Sequence, residues 1–225
     1  MRASAGRKSR HGRWQGRGRK GWGVTGEAAL GPWTAVSFVG GYSPSTSSTC
    51  ELLDGNVGVF AGDRLVALIY ARDPKSVLVG RIRAFGDGSV RIASGDLVAF
   101  PVADLRQVGG TVVTVSPLAP SEPVCQGAAS VPYIEGLPID LARVLLAEAG
   151  WQPDGSVASG RSGGMAEALA ELGIVEVEDC AGTGFGFCRY AYVSPVATLG
   201  VISVGEGRED GSLPTVSGYT ATCTP

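Results

Sequence analysis

The sequence predicts an α+β protein, in which a small antiparallel β domain is followed by an α+β domain. Three observations lead to this fold class. Short apolar segments alternate with turn signals between residues 50 and 116, a single strand–turn–helix pattern spans residues 131–151, and strand patterns surround a second short helix after it. Segregated strand and helix patterns of this kind are typical of α+β architecture.

Residues 1–49 do not fit either domain. The first 20 residues hold eight Lys or Arg and no acid, and residues 42–49 have the Ser/Thr-rich composition of a linker. Three interpretations stay open: an export segment that is removed near Cys50, a disordered basic arm, or an extension that results from a misassigned start codon. None of them predicts a folded element in this segment.

Residues 50–116 are predicted to form a small β-barrel or sandwich. Apolar strand patterns cover Leu65–Tyr70, Val90–Ile92 and Thr111–Ser116, and Gly86–Ser89 is a strong turn signal because Asp-Gly adopts positive φ readily. The Pro-rich segment 117–123 then marks the boundary to a second domain at residues 124–225.

A compact helix follows Gly136 in the second domain. Pro138 suits the first helical position, and Asp140 places a negative charge beside the exposed amides of the first turn. Gly150 suits the left-handed position that ends a helix. The predicted apolar face consists of Leu141, Val144 and Leu145, widened by Ala142, Leu146 and Ala149.

The string from Val131 to Trp151 resembles the opening half of a PASTA repeat, and residues 198–205 are weakly similar to its last strand. PASTA repeats are extracytoplasmic binding modules of bacterial transpeptidases and receptor-type Ser/Thr kinases, associated with peptidoglycan or partner recognition. The resemblance therefore implies a non-catalytic bacterial binding module. A second helix and a cysteine-bearing hairpin depart from the family pattern, and no ligand residue carries over.

The five cysteines favour disulfide bonds and an oxidising compartment. They include no C-x-x-C pair and have no histidine nearby, so no metal site is predicted. A bond between Cys50 and Cys125 would close off the first segment. Two of Cys180, Cys188 and Cys223 would then form a second bond, and Cys180 and Cys188 face each other in the predicted disulfide-bonded β-hairpin. The alternative is a set of buried thiols in a cytosolic protein, and the odd count leaves at least one cysteine unpaired or bonded to another molecule.

Charge and composition exclude several functions for the folded body. After residue 49 the chain holds 11 basic and 20 acidic residues, and this net charge of −9 argues against nucleic acid as its ligand. No run of 18 apolar residues predicts a membrane span. The single histidine is His11, so histidine-based catalysis is not expected in the body, and neither a catalytic residue nor a cofactor is predicted.

These observations predict a non-catalytic, secreted or periplasmic binding module, with peptidoglycan or another extracytoplasmic protein as its partner. One alternative is a disulfide-bonded protein inhibitor or structural accessory protein. A third hypothesis is nucleic-acid association through the basic N-terminal arm.

Overall fold

The computed structural model describes residues 21–44, 50–73, 79–95, 98–160, 163–182, 184–205 and 211–224. The chain divides into two compact units, Met1–Leu118 and Ala119–Pro225. The division lies within the Pro-rich segment 117–123. Residues 1–20 of the predicted basic arm and residues 45–49 of the predicted linker lie outside the described residues, whereas residues 42–44 of that linker belong to a strand.

The predicted α+β class is wrong, because the protein is β-rich, with 54% strand and 13% helical residues. Within the described residues, the α-helices are α1 (Ile139–Glu148) and α2 (Met165–Glu171), both in the second unit. They are short, and antiparallel strands form most of the regular structure around them. The two helical patterns therefore correspond to only two short helices among many short strands in the described residues.

The first unit consists of two four-stranded antiparallel sheets and a hairpin. Its strands are β1 (Gly23–Leu30), β2 (Trp33–Val39), β3 (Gly41–Pro44), β4 (Cys50–Leu53), β5 (Asn56–Ala61), β6 (Arg64–Tyr70), β7 (Arg81–Ala84), β8 (Val90–Ser94), β9 (Phe100–Val108) and β10 (Val112–Ser116). The sheet orders are β1-β2-β5-β6 and β10-β9-β8-β7, and β3 pairs with β4.

Three strands lie before residue 50, in a segment for which the sequence predicted no fold. β1 and β2 form a hairpin around Gly31, whose φ of 59° suits a glycine in a tight turn. Leu30 and Ala35 are completely buried. The glycines and the proline that interrupt this apolar segment therefore mark the turns of a β-hairpin, and residues 23–44 belong to the first unit.

Both sheets supply the core of the first unit. The buried apolar side chains of the core include Leu30, Val57 and Val59 from one sheet and Val90, Ile92 and Leu105 from the other. On one side the sheets meet where β1 lies against β7, and the Thr25 hydroxyl donates a 2.6 Å hydrogen bond to the Gly80 carbonyl beside β7. The result is a β-sandwich whose layers are joined along one side.

The second unit contains a five-stranded antiparallel sheet with α1 packed on it. Its strands are β11 (Ser121–Val124), β12 (Ala129–Pro132), β13 (Gln152–Pro153), β14 (Val177–Cys180), β15 (Cys188–Ser194), β16 (Ala197–Val204) and β17 (Thr215–Cys223). β15, β16 and β17 are neighbours, β13 and β14 both pair with β15, and β11 pairs with β12 as a separate hairpin.

The ends of α1 agree closely with the sequence signals. Pro138 directly precedes the helix, Asp140 lies in its first turn, and Gly150 has a φ of 89° just after its last turn. Trp151 then turns back into the core, where it is fully buried and its indole N–H donates to the Ser130 carbonyl at 2.8 Å.

The predicted apolar face of α1 is confirmed in part, because Ala142 and Leu146 are buried and Leu145 packs against the core, but Leu141 and Val144 do not belong to the buried face. Leu141 and Val144 are 53% and 54% exposed, whereas Ile139, Ala142 and Leu146 are completely buried. The backbone explains the rotation. The Ile139 N–H donates to the Pro214 carbonyl at 3.0 Å, and this bond ties the start of α1 to the segment before β17, so that the face beginning at Ile139 points to the sheet.

A pair of leucine variants tests which face of α1 is buried. We expect Leu146→Ala to lower the free energy of unfolding by about 2–5 kcal/mol, because it leaves a cavity in the core. Leu141→Ala, the matched control on the exposed face, should change it by less than about 0.5 kcal/mol. Chemical denaturation followed by tryptophan fluorescence, in a background where Trp14, Trp22 and Trp33 are replaced by phenylalanine so that Trp151 alone reports, measures both, and equal or reversed losses would contradict the described packing.

Candidate functional site

The cleft that we consider as a binding site lies in the first unit, where β6 and β10 begin. Its volume is about 710 Å³. We call it the edge cleft, and the lining residues that matter below are Trp33, Arg64, Ala67, Thr111, Val112 and Val113. Its walls thus come from β2 and β6 of one sheet and β10 of the other, together with the turn between β9 and β10.

The sheet order explains why the edge cleft is open. β6 is the last strand of one sheet and β10 the last strand of the other, and among the described residues neither has a further strand on its outer side. An edge strand presents a row of backbone N–H and C=O groups that no neighbouring strand satisfies. The sandwich is thus joined along β1 and β7 and has two strand edges on the opposite side.

The strand register shows that core-facing side chains are accessible at these edges. Opposed residues of an antiparallel pair point to the same face of the sheet. Ala67 and Val115 oppose the completely buried Val59 and Leu105, so both face the core. Ala67 is nevertheless only half-buried, and Val115 is 57% exposed. The interior of the sandwich therefore reaches solvent along β6 and β10.

The edge cleft is apolar apart from one cation. Arg64 is the charged residue of its lining, and Thr111 adds a hydroxyl group. Arg64 is exposed, and no ion pair to it is seen within the described part of the chain. Such a site can bind an apolar group and an anion next to each other, whereas its lining offers no acid–base pair for catalysis.

The outer face of β6 extends the apolar surface beyond the edge cleft. Leu65, Leu68 and Tyr70 are exposed there. In the neighbouring strand, Phe60 lies over Gly58, where an added Cβ would come within 2.7 Å of the Phe60 ring. Glycine at position 58 therefore lets an aromatic ring lie flat on the sheet, beside the exposed leucines.

A buried polar cluster in the second unit is a different kind of feature. The Glu176 carboxylate is completely buried and accepts two hydrogen bonds from the Arg143 guanidinium, at 2.8 and 3.2 Å, and one from the Tyr192 hydroxyl at 2.9 Å. These groups satisfy one another and connect α1 to the sheet, as buried charges require. We assign the cluster a structural role.

Tyr192 of this cluster and the nearby Tyr190 both stay protonated at neutral pH. Burial raises the pKa of Tyr192, and the nearby Glu176 carboxylate raises it further. Burial also raises the pKa of Tyr190 to about 12, although its hydroxyl shares a 3.1 Å hydrogen bond with the Ser203 hydroxyl, which favours ionisation. Both side chains are therefore neutral hydrogen-bonding groups of the core.

The structure pairs four of the five cysteines. Cys180 and Cys188 form a disulfide across β14 and β15, as predicted, and Cys125 is bonded to Cys223. The predicted pairing of Cys50 with Cys125 is wrong, because Cys125, just after β11, lies beside the last residue of β17. Cys50 is unpaired and exposed in β4.

Sequence reasoning did not identify the edge cleft, although one signal pointed to it. Leu65–Tyr70 is apolar at every position, whereas a strand with one solvated face alternates apolar and polar residues. Within the described residues, no group of three or more His, Cys, Asp or Glu could hold a metal ion. Neither α-helix there is long and apolar enough to cross a membrane.

Comparisons with protein-family models, with curated proteins and with solved structures found no significant match to this chain.

The disulfide assignment has a direct chemical test. Protein isolated from its native cells without reductant should react with one equivalent of a thiol reagent, through Cys50, both when folded and in guanidinium chloride. Cys50→Ser should abolish this reaction, and five thiols should titrate after reduction. Additional thiols in unreduced, denatured protein would contradict the two disulfides and support the buried-thiol alternative.

Proposed function

We propose that this protein is a non-catalytic, extracytoplasmic bacterial binding module whose ligand docks in the edge cleft. The observation that carries the proposal is the exposure of core-facing apolar side chains along β6 and β10. Contiguous apolar surface of this kind marks interaction sites in soluble proteins. Burial of such surface by a ligand is favourable by roughly 25 cal/mol per Å².

The compartment rests on separate support. Two disulfide bonds are compatible with an oxidising, extracytoplasmic location. The resemblance of residues 131–151 to a PASTA repeat points the same way.

The chemistry of the edge cleft favours a protein ligand. Peptidoglycan, the ligand that the resemblance implies, presents mostly hydroxyl, amide and carboxylate groups. An apolar protein segment matches the lining of the edge cleft better, since valine, alanine and tryptophan side chains form most of its walls. The nucleic-acid hypothesis rests on residues 1–20, which lie outside the described residues.

An anionic apolar dye, anilinonaphthalene sulfonate, tests the edge cleft as a binding surface. We expect the folded protein to bind the dye saturably, and Val112→Ser to weaken binding at least threefold, since Val112 lines the cleft. Val144→Ser is the matched control, because Val112 and Val144 are exposed to similar extents, 51% and 54%, and Val144 lies on α1. Fluorescence titration measures binding, and circular dichroism verifies folding.

Two outcomes of this series would contradict the proposal. One is that the wild-type protein does not bind the dye, or that Val144→Ser weakens binding as much as Val112→Ser does. The other is that the protein cosediments with purified peptidoglycan sacculi to the same extent with and without Val112→Ser, because binding would then belong to another surface.

A further inference from the structure

We infer that the edge cleft binds the apolar C-terminal segment of a partner protein, which adds to the sandwich as an extended strand and places its terminal carboxylate on Arg64. The inference rests on the proposed function, since it names the ligand class of the same site. It follows from the strand edges, the chain direction, the position of Arg64 and the faces of the exposed side chains.

The strand edges determine how a ligand is held. β6 and β10 both begin at the edge cleft, and each is the last strand of its sheet among the described residues. An extended peptide placed along either edge can pair with the backbone groups that point outward. Main-chain pairing needs no particular ligand sequence, so this part of the binding energy is available to any extended peptide.

Chain direction then determines which end of the peptide meets Arg64. Antiparallel pairing is more stable per residue than parallel pairing. A peptide that runs antiparallel to β6 has its C-terminal end beside the first residue of that strand, which is Arg64. A terminal carboxylate at this end matches the exposed guanidinium in charge, and Arg–carboxylate pairs are among the stronger hydrogen-bonded contacts in proteins.

The faces of the exposed residues specify the side chains of the ligand. Successive residues of a strand point to opposite faces. Alternate ligand residues would therefore cover Ala67 and Val113, which line the edge cleft and pack against the core, while those between them would lie beside the outward-facing Leu65 and Leu68. Because β6 is apolar on both faces, we expect the ligand to carry apolar side chains on at least one of its faces, that is, at every second position.

Charge argues against this chain's own N-terminal segment as the occupant. Residues 1–20 hold eight basic residues and no acidic one, the same sign of charge as Arg64. A carboxylate from a partner supplies the opposite sign. An internal acidic segment would present its carboxylate on a side chain, whereas the inferred ligand presents its carboxylate at the end of the main chain.

The test uses fluorescein-labelled heptapeptides that vary valine, isoleucine and leucine at alternate positions. Each peptide is made with a free C-terminal carboxylate and as its amide, and fluorescence polarisation measures binding to the full-length protein. We expect several free acids to bind at least tenfold more tightly than their amides, as the loss of a charge-assisted hydrogen bond implies. N-methylation of single backbone amides should weaken binding at alternate positions.

Two arginine variants test where the carboxylate lies. Arg64→Gln should remove the preference for the free acid. Arg72→Gln should keep it, because Arg72 is a second exposed arginine that lies just beyond the opposite end of β6. Loss of the preference in Arg72→Gln would reverse the peptide direction and overturn the inference, as would equal binding of acids and amides or insensitivity to N-methylation.

The outcomes separate this inference from the proposed function. If the dye binds at Val112 but no peptide in the library binds, the binding surface stands and the strand-addition inference falls. If the wild-type protein binds neither dye nor peptide, both fall. A dimer in analytical ultracentrifugation that Leu68→Lys dissociates would show that a second copy occupies β6, and would also overturn the peptide ligand.

Discussion

The first unit depends on a close approach of backbone between its two sheets, which joins them where β1 lies against β7. The Thr25 hydroxyl binds the Gly80 carbonyl, and a Cβ added at Gly26 would lie 3.1 Å from the Ile82 carbonyl oxygen. Gly55 is even more restricted, because an added Cβ would overlap the Val79 carbonyl. Glycine at position 26 therefore lets β1 approach β7, and glycine at position 55 lets the turn between β4 and β5 approach the segment before β7. The opposite side, at β6 and β10, has no equivalent closure in the described residues, and the edge cleft is its consequence.

The second unit is held together by constraints of another kind. One disulfide connects the start of the unit to the end of β17, a second closes the β14–β15 hairpin, and the ion pair between the half-buried Arg143 and the buried Glu176 connects α1 to the sheet. Each bond limits the freedom of the unfolded chain or satisfies a buried charge. These bonds cross-link the second unit, whereas the edge cleft, which we propose as the binding surface, lies in the first unit.

The sequence predicted local structure better than the contacts between distant segments. Strand patterns at Leu65–Tyr70 and Val90–Ile92 and the end of α1 at Gly150 all correspond to observed elements, because turn chemistry and periodicity are local. Within α1, Leu141 and Val144 were placed wrongly on the buried face, because local periodicity does not show that Ile139 is bonded to Pro214, just before β17. The edge cleft could not be predicted for a similar reason: it depends on which strands end each sheet, and apolar composition alone does not reveal the sheet order.

Hydrogen–deuterium exchange, read residue by residue by NMR, tests most directly whether β6 and β10 are open edges. The account predicts that alternate amides of β6 and β10 exchange much faster than those of β5 and β8. An inner strand is hydrogen-bonded to a neighbour on each side, whereas in an edge strand the amides that point outward have no partner strand. Addition of a bound heptapeptide should slow the fast amides. Uniform protection of β6 and β10, equal to that of β5 and β8, would show that both edges are already covered and would contradict the account.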